Sequence, residues 1–75
     1  MDELGIKKII SKFLFCKPED INENTIIDAS AIKGSVLILR MYSRLNEFLE
    51  LEINDFQYIV NYGDLLNELR KQKHL

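Results

Sequence analysis

Three separate blocks of the chain place apolar residues three or four positions apart, and that spacing decides most of what it can fold into. Ile6, Ile9, Ile10, Phe13 and Leu14 form the first stripe. Ile38, Met41, Tyr42, Leu45, Phe48 and Leu49 form the second, and Leu65, Leu66 and Leu69 the third. Each stripe is one face of an amphipathic helix, and such a face must be buried against another element. With no strand pattern of note between them, the three stripes imply an all-α fold in which helices cover one another.

The polar residues set the boundaries. The first helix is expected from residue 2 to about 15, with Asp2 and Glu3 where the helix dipole favours negative charge and Lys7, Lys8, Ser11 and Lys12 on the outer face. Pro18 limits its continuation, because a residue before proline is pushed out of the α region. Residues 16–34 form the longest connection, polar over KPEDINENT but carrying Ile21, Ile26, Ile27 and Ile32. A connection of this length with spaced isoleucines is expected to be pinned across a core. The second helix is expected from near Ser35 to about Leu49, with Val36, Arg40, Ser43, Arg44 and Glu47 opposite its apolar arc. A short third helix is expected from roughly Asp55 to Val60, capped by Asn54 with Gln57, and turning Phe56, Ile59 and Val60 inward. Asn61 with Asp64 repeats the capping pattern before a last helix, about Tyr62 to Gln72, whose basic end holds Arg70, Lys71 and Lys73. The expected fold is a small four-helix bundle: three main helices, a short third one, and a long loop between the first two.

Length and charge narrow the function. The 75 residues make a single domain, 1–75, and a chain this short has little room for an enzyme's walled cleft. Twelve acidic and ten basic residues give a net charge of −2, which argues against nucleic acid as a partner. No signal peptide follows Met1 and no apolar run reaches membrane-spanning length, so a cytoplasmic chain with no membrane partner is expected. The single cysteine, Cys16, and single histidine, His74, supply neither a zinc set nor a Cys-His catalytic pair. Cys16 reads as a small apolar residue, and Tyr42, Tyr58 and Tyr62 as amphipathic residues at the core edge. A monomer without catalytic residues or metal is the expectation.

The segment IKGSVLILRMYSRLNEF, residues 32–48, holds the chemistry that remains. Ser35 stands at a helix start, where a serine ordinarily serves as cap. Position 38 is isoleucine, so no capping box backs that reading, and the wheel sends apolar Val36 outward beside the serine. Gly34 leaves the approach to the hydroxyl open. A phosphodiester on Ser35 would lie at the positive end of the helix dipole, near free backbone N–H groups. Arg40 and Arg44 read equally as a solvated face, with Glu47 in i,i+3 reach of Arg44, or as determinants of partner choice.

The run GSVLILRMYSRLNEFLELEI resembles the second helix of the acyl and peptidyl carrier proteins. Arg40, Ser43 and Arg44 stand five, eight and nine residues after Ser35, as often in peptidyl carriers, and Leu51, Glu52 and Ile53 match the aliphatic-acidic-aliphatic segment that follows. The first helix, the loop with PEDINENT, the short third helix and the closing YGDLLNEL fall in the family's order, so the resemblance spans about residues 3 to 71. The chain departs from the family at Gly34, where Asp or His is usual, and mildly at Val36, where Leu or Ile is usual. A second serine, Ser30 in DAS, mimics the motif loosely, but counting back from Leu45, Leu49 and Ile53 lands on Ser35.

The resemblance implies a standalone carrier with a covalent 4′-phosphopantetheine arm on Ser35, holding an acyl or aminoacyl group as a thioester. It implies as partners a phosphopantetheinyl transferase, an adenylating ligase or acyltransferase as loader, and downstream condensing or tailoring enzymes. Gly34, Val36, Arg40 and Arg44 would form the docking face. The two arginines lean toward the peptidyl type over an acyl carrier of a polyketide or fatty-acid-like pathway, since fatty-acid carriers present an acidic second helix. A carrier-like interaction module without the arm is the reading from another class.

Overall fold

In the computed structural model, which describes residues 3–53 and 56–73, the order of elements is α1 Glu3–Leu14, a 3₁₀ turn Pro18–Asp20, α2 Ser35–Leu49, a 3₁₀ turn Phe56–Tyr58 and α3 Tyr62–Lys73. No strand forms among the described residues, and the chain is mostly helical. The expected positions of Asp2, Asn54, Asp55 and His74 lie outside the described residues.

Each helix buries the stripe the sequence marks. Ile6 and Ile10 of α1, Met41, Tyr42 and Leu45 of α2, and Tyr62, Leu65, Leu66 and Leu69 of α3 meet in one core. The long connection joins them through Ile21, Ile27 and Ile32, each at most 2% exposed. It is pinned by hydrogen bonds as well as by side chains. Ile26 forms an isolated antiparallel bridge with Asn61. Around it Ile27 N–H donates to the Val60 carbonyl at 2.9 Å, Tyr62 N–H to Thr25 at 2.9 Å and Gly63 N–H to Glu23 at 3.0 Å. Gly63 suits that close approach, because a Cβ there would stand 3.2 Å from the Glu23 carbonyl oxygen. The radius of gyration, 11.1 Å, matches the value of about 11 Å for a packed chain of this length.

The helix ends follow local chemistry. α1 stops at Leu14, four residues before Pro18: Phe15 turns left-handed at φ 56° and Cys16 N–H closes on the Ser11 carbonyl at 3.2 Å. Pro18 then opens the 3₁₀ turn, where its missing N–H costs nothing. At α3 the expected box forms. Asn61 Oδ1 accepts from Asp64 N–H at 2.8 Å, and Asp64 Oδ2 accepts from Asn61 N–H at 3.3 Å and Val60 N–H at 3.1 Å.

Three expectations of burial are corrected. The short third helix reduces to the single turn Phe56–Tyr58, because the next residues extend into the bridge with Ile26. An extended chain alternates sides, so Ile59 points in and Val60 is 43% exposed. Phe48, at the border of its arc, is 44% exposed and lines a shallow groove with Ile9, Arg44 and Glu47. Ser11, expected outside, is buried; its hydroxyl donates to the Lys8 carbonyl at 2.9 Å and so needs no solvent.

The end of α2 carries a stability prediction. Glu50 is left-handed at φ 55°, and Leu51 N–H donates to the Asn46 carbonyl at 3.1 Å. The Asn46 side chain reaches further, with Oδ1 accepting from Ile53 N–H at 2.9 Å. Asn46→Ala leaves that partly buried N–H unpaired and is expected to cost about 1–2 kcal/mol, a fall of roughly 4–16 °C in Tm by thermal unfolding. Asn46→Asp keeps the acceptor and should recover most of the loss.

Candidate functional site

Ser35 is the first residue of α2, and the residue in the capping position is Gly34. The ordinary reading of Ser35 as a cap is therefore corrected: the capping residue is Gly34, which has no side chain to cap with, and the first turn contains no acidic residue. The first N–H groups of α2 thus keep their positive end without a neutralising side chain. Ser35 is exposed, and its hydroxyl makes no hydrogen bond to the described residues. Ser30 differs sharply. Its hydroxyl donates to Asp28 Oδ1 at 2.5 Å and its N–H to the same oxygen at 2.9 Å. Those bonds hold the Asp28 carboxyl below the usual carboxylate range, the side-chain bond contributing most. Of the two candidate serines, only Ser35 offers an uncommitted oxygen.

Gly34 has φ 121° and ψ 128°, a conformation that L side chains rarely adopt. Nothing lies within 4 Å of where its Cβ would stand. The constraint on this position is therefore backbone torsion rather than space.

Beyond Ser35, α2 presents two flanks. On one, Val36, Arg40 and Arg44 follow at i, i+4 and i+8 along a ridge. Val36 is 62% exposed, and both arginines are exposed. Among the described residues neither arginine forms an ion pair, so the expected Arg44–Glu47 pairing is absent. Leu37 and Leu39 add apolar surface, Leu39 being 56% exposed.

On the other flank a cleft of about 370 Å³ opens between α2, the end of the long connection and the Phe56–Ile59 segment. Ser35 stands at its rim. Ile27, Ile38, Leu39, Phe56 and Ile59 make its walls mostly apolar, and Asp28 is the charged side chain that lines it. Tyr42 lines it too, stacked on Phe56 with ring centroids 4.7 Å apart and planes at 16°. Sites for small molecules begin at about this volume and have this mix of walls.

Tyr42 lies in the core arc as its spacing predicts, but the reading of Tyr42 and Tyr62 as amphipathic residues at the core edge is corrected: they are 3% and 1% exposed, because both rings pack inside the core. The Tyr42 hydroxyl, however, is buried with no hydrogen-bond partner among the described residues. Burial, with Asp28 and Asp64 adding to it, pushes the phenol far above its usual range, so it is a neutral donor at any physiological pH. Neither the cleft nor this orphaned donor could be read from spacing. The available signal was a tyrosine where the helix pattern asks for leucine.

The remaining reactive groups are quiet. Burial, then Asp20, raises the Cys16 thiol above its ordinary value, so it stays protonated. Among the described residues no group of three or more histidines, cysteines and acids is placed to hold a metal ion. No described helix is long and apolar enough to cross a membrane.

No protein-family model, curated protein or solved structure matches the chain.

Proposed function

We propose that this chain is a carrier protein of acyl-carrier type, with Ser35 as the attachment point for a 4′-phosphopantetheine arm. The observation that carries the reading is the start of α2: an exposed, uncommitted serine hydroxyl at a helix end with no side-chain cap and no acid in its first turn. A phosphodiester formed there meets backbone donors and a favourable dipole. The residues present suit the group in two further respects. Nothing crowds Gly34 on the approach to Ser35, and the apolar cleft beside the serine can shelter what an arm brings back.

In this reading the Ser35 oxygen attacks the β-phosphorus of coenzyme A in a phosphopantetheinyl transferase. A P–O–P bond breaks, adenosine 3′,5′-bisphosphate leaves, and the hydroxyl proton passes to the transferase or solvent. The arm, once attached, supplies a thiol that carries cargo as a thioester. The chain itself supplies a rigid anchor and a docking ridge, and tethering raises the cargo's effective concentration for neighbouring enzymes. Val36, Arg40 and Arg44 would meet the transferase, the adenylating ligase or acyltransferase that loads the arm, and the condensing or tailoring enzymes that follow. Two exposed arginines without an ion pair among the described residues favour partners with acidic docking surfaces and disfavour those built for an acidic carrier, which is the lean toward the peptidyl type.

The test is intact mass after incubation with a broad-specificity transferase and coenzyme A. The wild-type chain is expected to gain one arm, Ser30→Ala to gain it equally, and Ser35→Ala to gain none. Modification of Ser35→Ala would refute the site. No gain in the wild type would refute the carrier reading in favour of an interaction module using the Val36, Leu37 and Leu39 surface.

A further inference from the structure

A second concave surface lies between α1 and α2, on the far side of α2 from the cleft. Phe48, which lines it, stands nine residues from Leu39 in the cleft, half a turn apart in projection. This groove has about 290 Å³ and is lined by Ile9, Arg44, Glu47 and Phe48. Ile9 is half-buried, while Phe48 is 44% exposed, a large apolar side chain that the fold leaves partly in water. Both rims are basic. On α1, Lys12 stands one turn beyond Ile9, with Lys8 one turn behind it on the same ridge. On α2, Arg40 stands one turn before Arg44. All four side chains are exposed, and none forms an ion pair among the described residues. We infer that this groove is a docking site for an acidic amphipathic helix of a partner protein.

Shape and charge select that occupant together. A groove between two packed helices accepts the ridge of a third. An apolar stripe on that helix covers Ile9 and Phe48, with anchors at i and i+3 or i+4. Acids one turn apart on either side of the stripe then face Lys8 and Lys12 along one rim and Arg40 and Arg44 along the other. Glu47 also lines the groove, so the partner is neutral opposite it and acidic elsewhere. A flat bilayer meets the two basic ridges before it meets a concave floor, and duplex DNA has no apolar stripe to lay on Phe48. The groove shares Arg44 with the ridge assigned to the carrier's enzymes, but it needs no arm and holds whether or not Ser35 is modified.

The probes are a synthetic helical peptide with leucines at i, i+3, i+4 and i+7 flanked by glutamates, and its counterpart with lysine in place of each glutamate. Each is titrated into the unmodified protein and followed by amide NMR shifts. The glutamate peptide is expected to shift Ile9, Lys12, Arg44 and Phe48 and to bind about tenfold more tightly than the lysine peptide. Phe48→Ala is expected to weaken it about tenfold and Lys12→Glu about fivefold, both variants keeping the wild-type spectrum away from the groove. Equal binding of the two peptides, no binding of the glutamate peptide, unchanged binding in both variants, or shifts confined to the cleft would overturn the inference. Phosphatidylglycerol vesicles that shift the same amides where the glutamate peptide does not would assign the face to a membrane instead. Ser35→Ala is expected to bind the glutamate peptide as the wild type does. Failure of Ser35 to accept an arm while that binding persists would remove the carrier reading and leave the groove standing.

Discussion

Replacing Gly34 with alanine is expected to destabilise the protein by about 1–3 kcal/mol, measured as a lower urea midpoint at unchanged m-value. The site gives no steric reason, since nothing lies within 4 Å of the missing Cβ. The cost comes from φ 121°, which alanine reaches only with strain or by swinging the connection before α2. Gly34→Asp separates torsion from capping. Aspartate suffers the same strain, yet it brings a side-chain cap and a negative charge to a helix start that has neither. It should therefore be about 1 kcal/mol more stable than the alanine variant while remaining below the wild type. The comparison bears on function, because aspartate is a usual residue at this position in the carriers that the chain resembles. Installing it here is expected to fill the free helix end that a phosphodiester on Ser35 would use. An aspartate variant more stable than the wild type would show that torsion does not govern the position.

The helices were legible in the sequence because their signal is local and repeated. Ile6 and Ile10, Met41 and Leu45, and Leu65 and Leu69 each announce a buried face by spacing alone, and Asn61 with Asp64 announces a start that the hydrogen bonds then make. Ile21, Ile27 and Ile32 of the long connection were legible for a related reason, since apolar residues in a polar stretch need somewhere to go, whereas Ile26, read with them, is 40% exposed. What spacing could not convey was set by contacts between distant segments. The bridge from Ile26 to Asn61 shortens the third helix and turns Val60 outward, and no pattern within 55–60 reports it. At the site, the position of Ser35 and the exposure of Val36 followed from the wheel. The torsion of Gly34, the commitment of Ser30 to Asp28 and the lack of an ion pair for Arg44 among the described residues did not. The cleft was hidden altogether, because it is space left between α2 and a segment placed by tertiary packing.

Stability is expected to fall steeply above pH 10, and two tyrosines account for it. Tyr62 is 1% exposed and Tyr42 3%. Burial is the main force that raises both phenols well above their usual range. Glu3 adds to it at Tyr62, accepting from the hydroxyl at 3.3 Å, and Asp28 and Asp64 add to it at Tyr42. The native state therefore holds two protons that the unfolded chain releases near pH 10. Where the unfolded state binds fewer protons, stability falls as pH rises. The tyrosines' contribution is complete below the unfolded value of about 10 and declines from there upward. Each contributes a slope approaching 1.4 kcal/mol per pH unit, so the pair removes about 2 kcal/mol between pH 10 and 11 and about 3 more by pH 12. A chain of 75 residues has roughly 4–11 kcal/mol in all, so alkaline unfolding should fall close to that window. Urea midpoints measured against pH, with phenolate absorbance as the second probe, check the slope. Tyr42→Phe and Tyr62→Phe should each halve it, but they should part company at neutral pH. Tyr62→Phe loses its bond to Glu3, whereas Tyr42→Phe removes an unsatisfied buried donor and should gain about 1 kcal/mol. A Tyr42→Phe variant with an unchanged alkaline slope would mean that water reaches the hydroxyl. A halved slope with a gain at neutral pH would mean that the hydroxyl is sealed in the core and unsatisfied there.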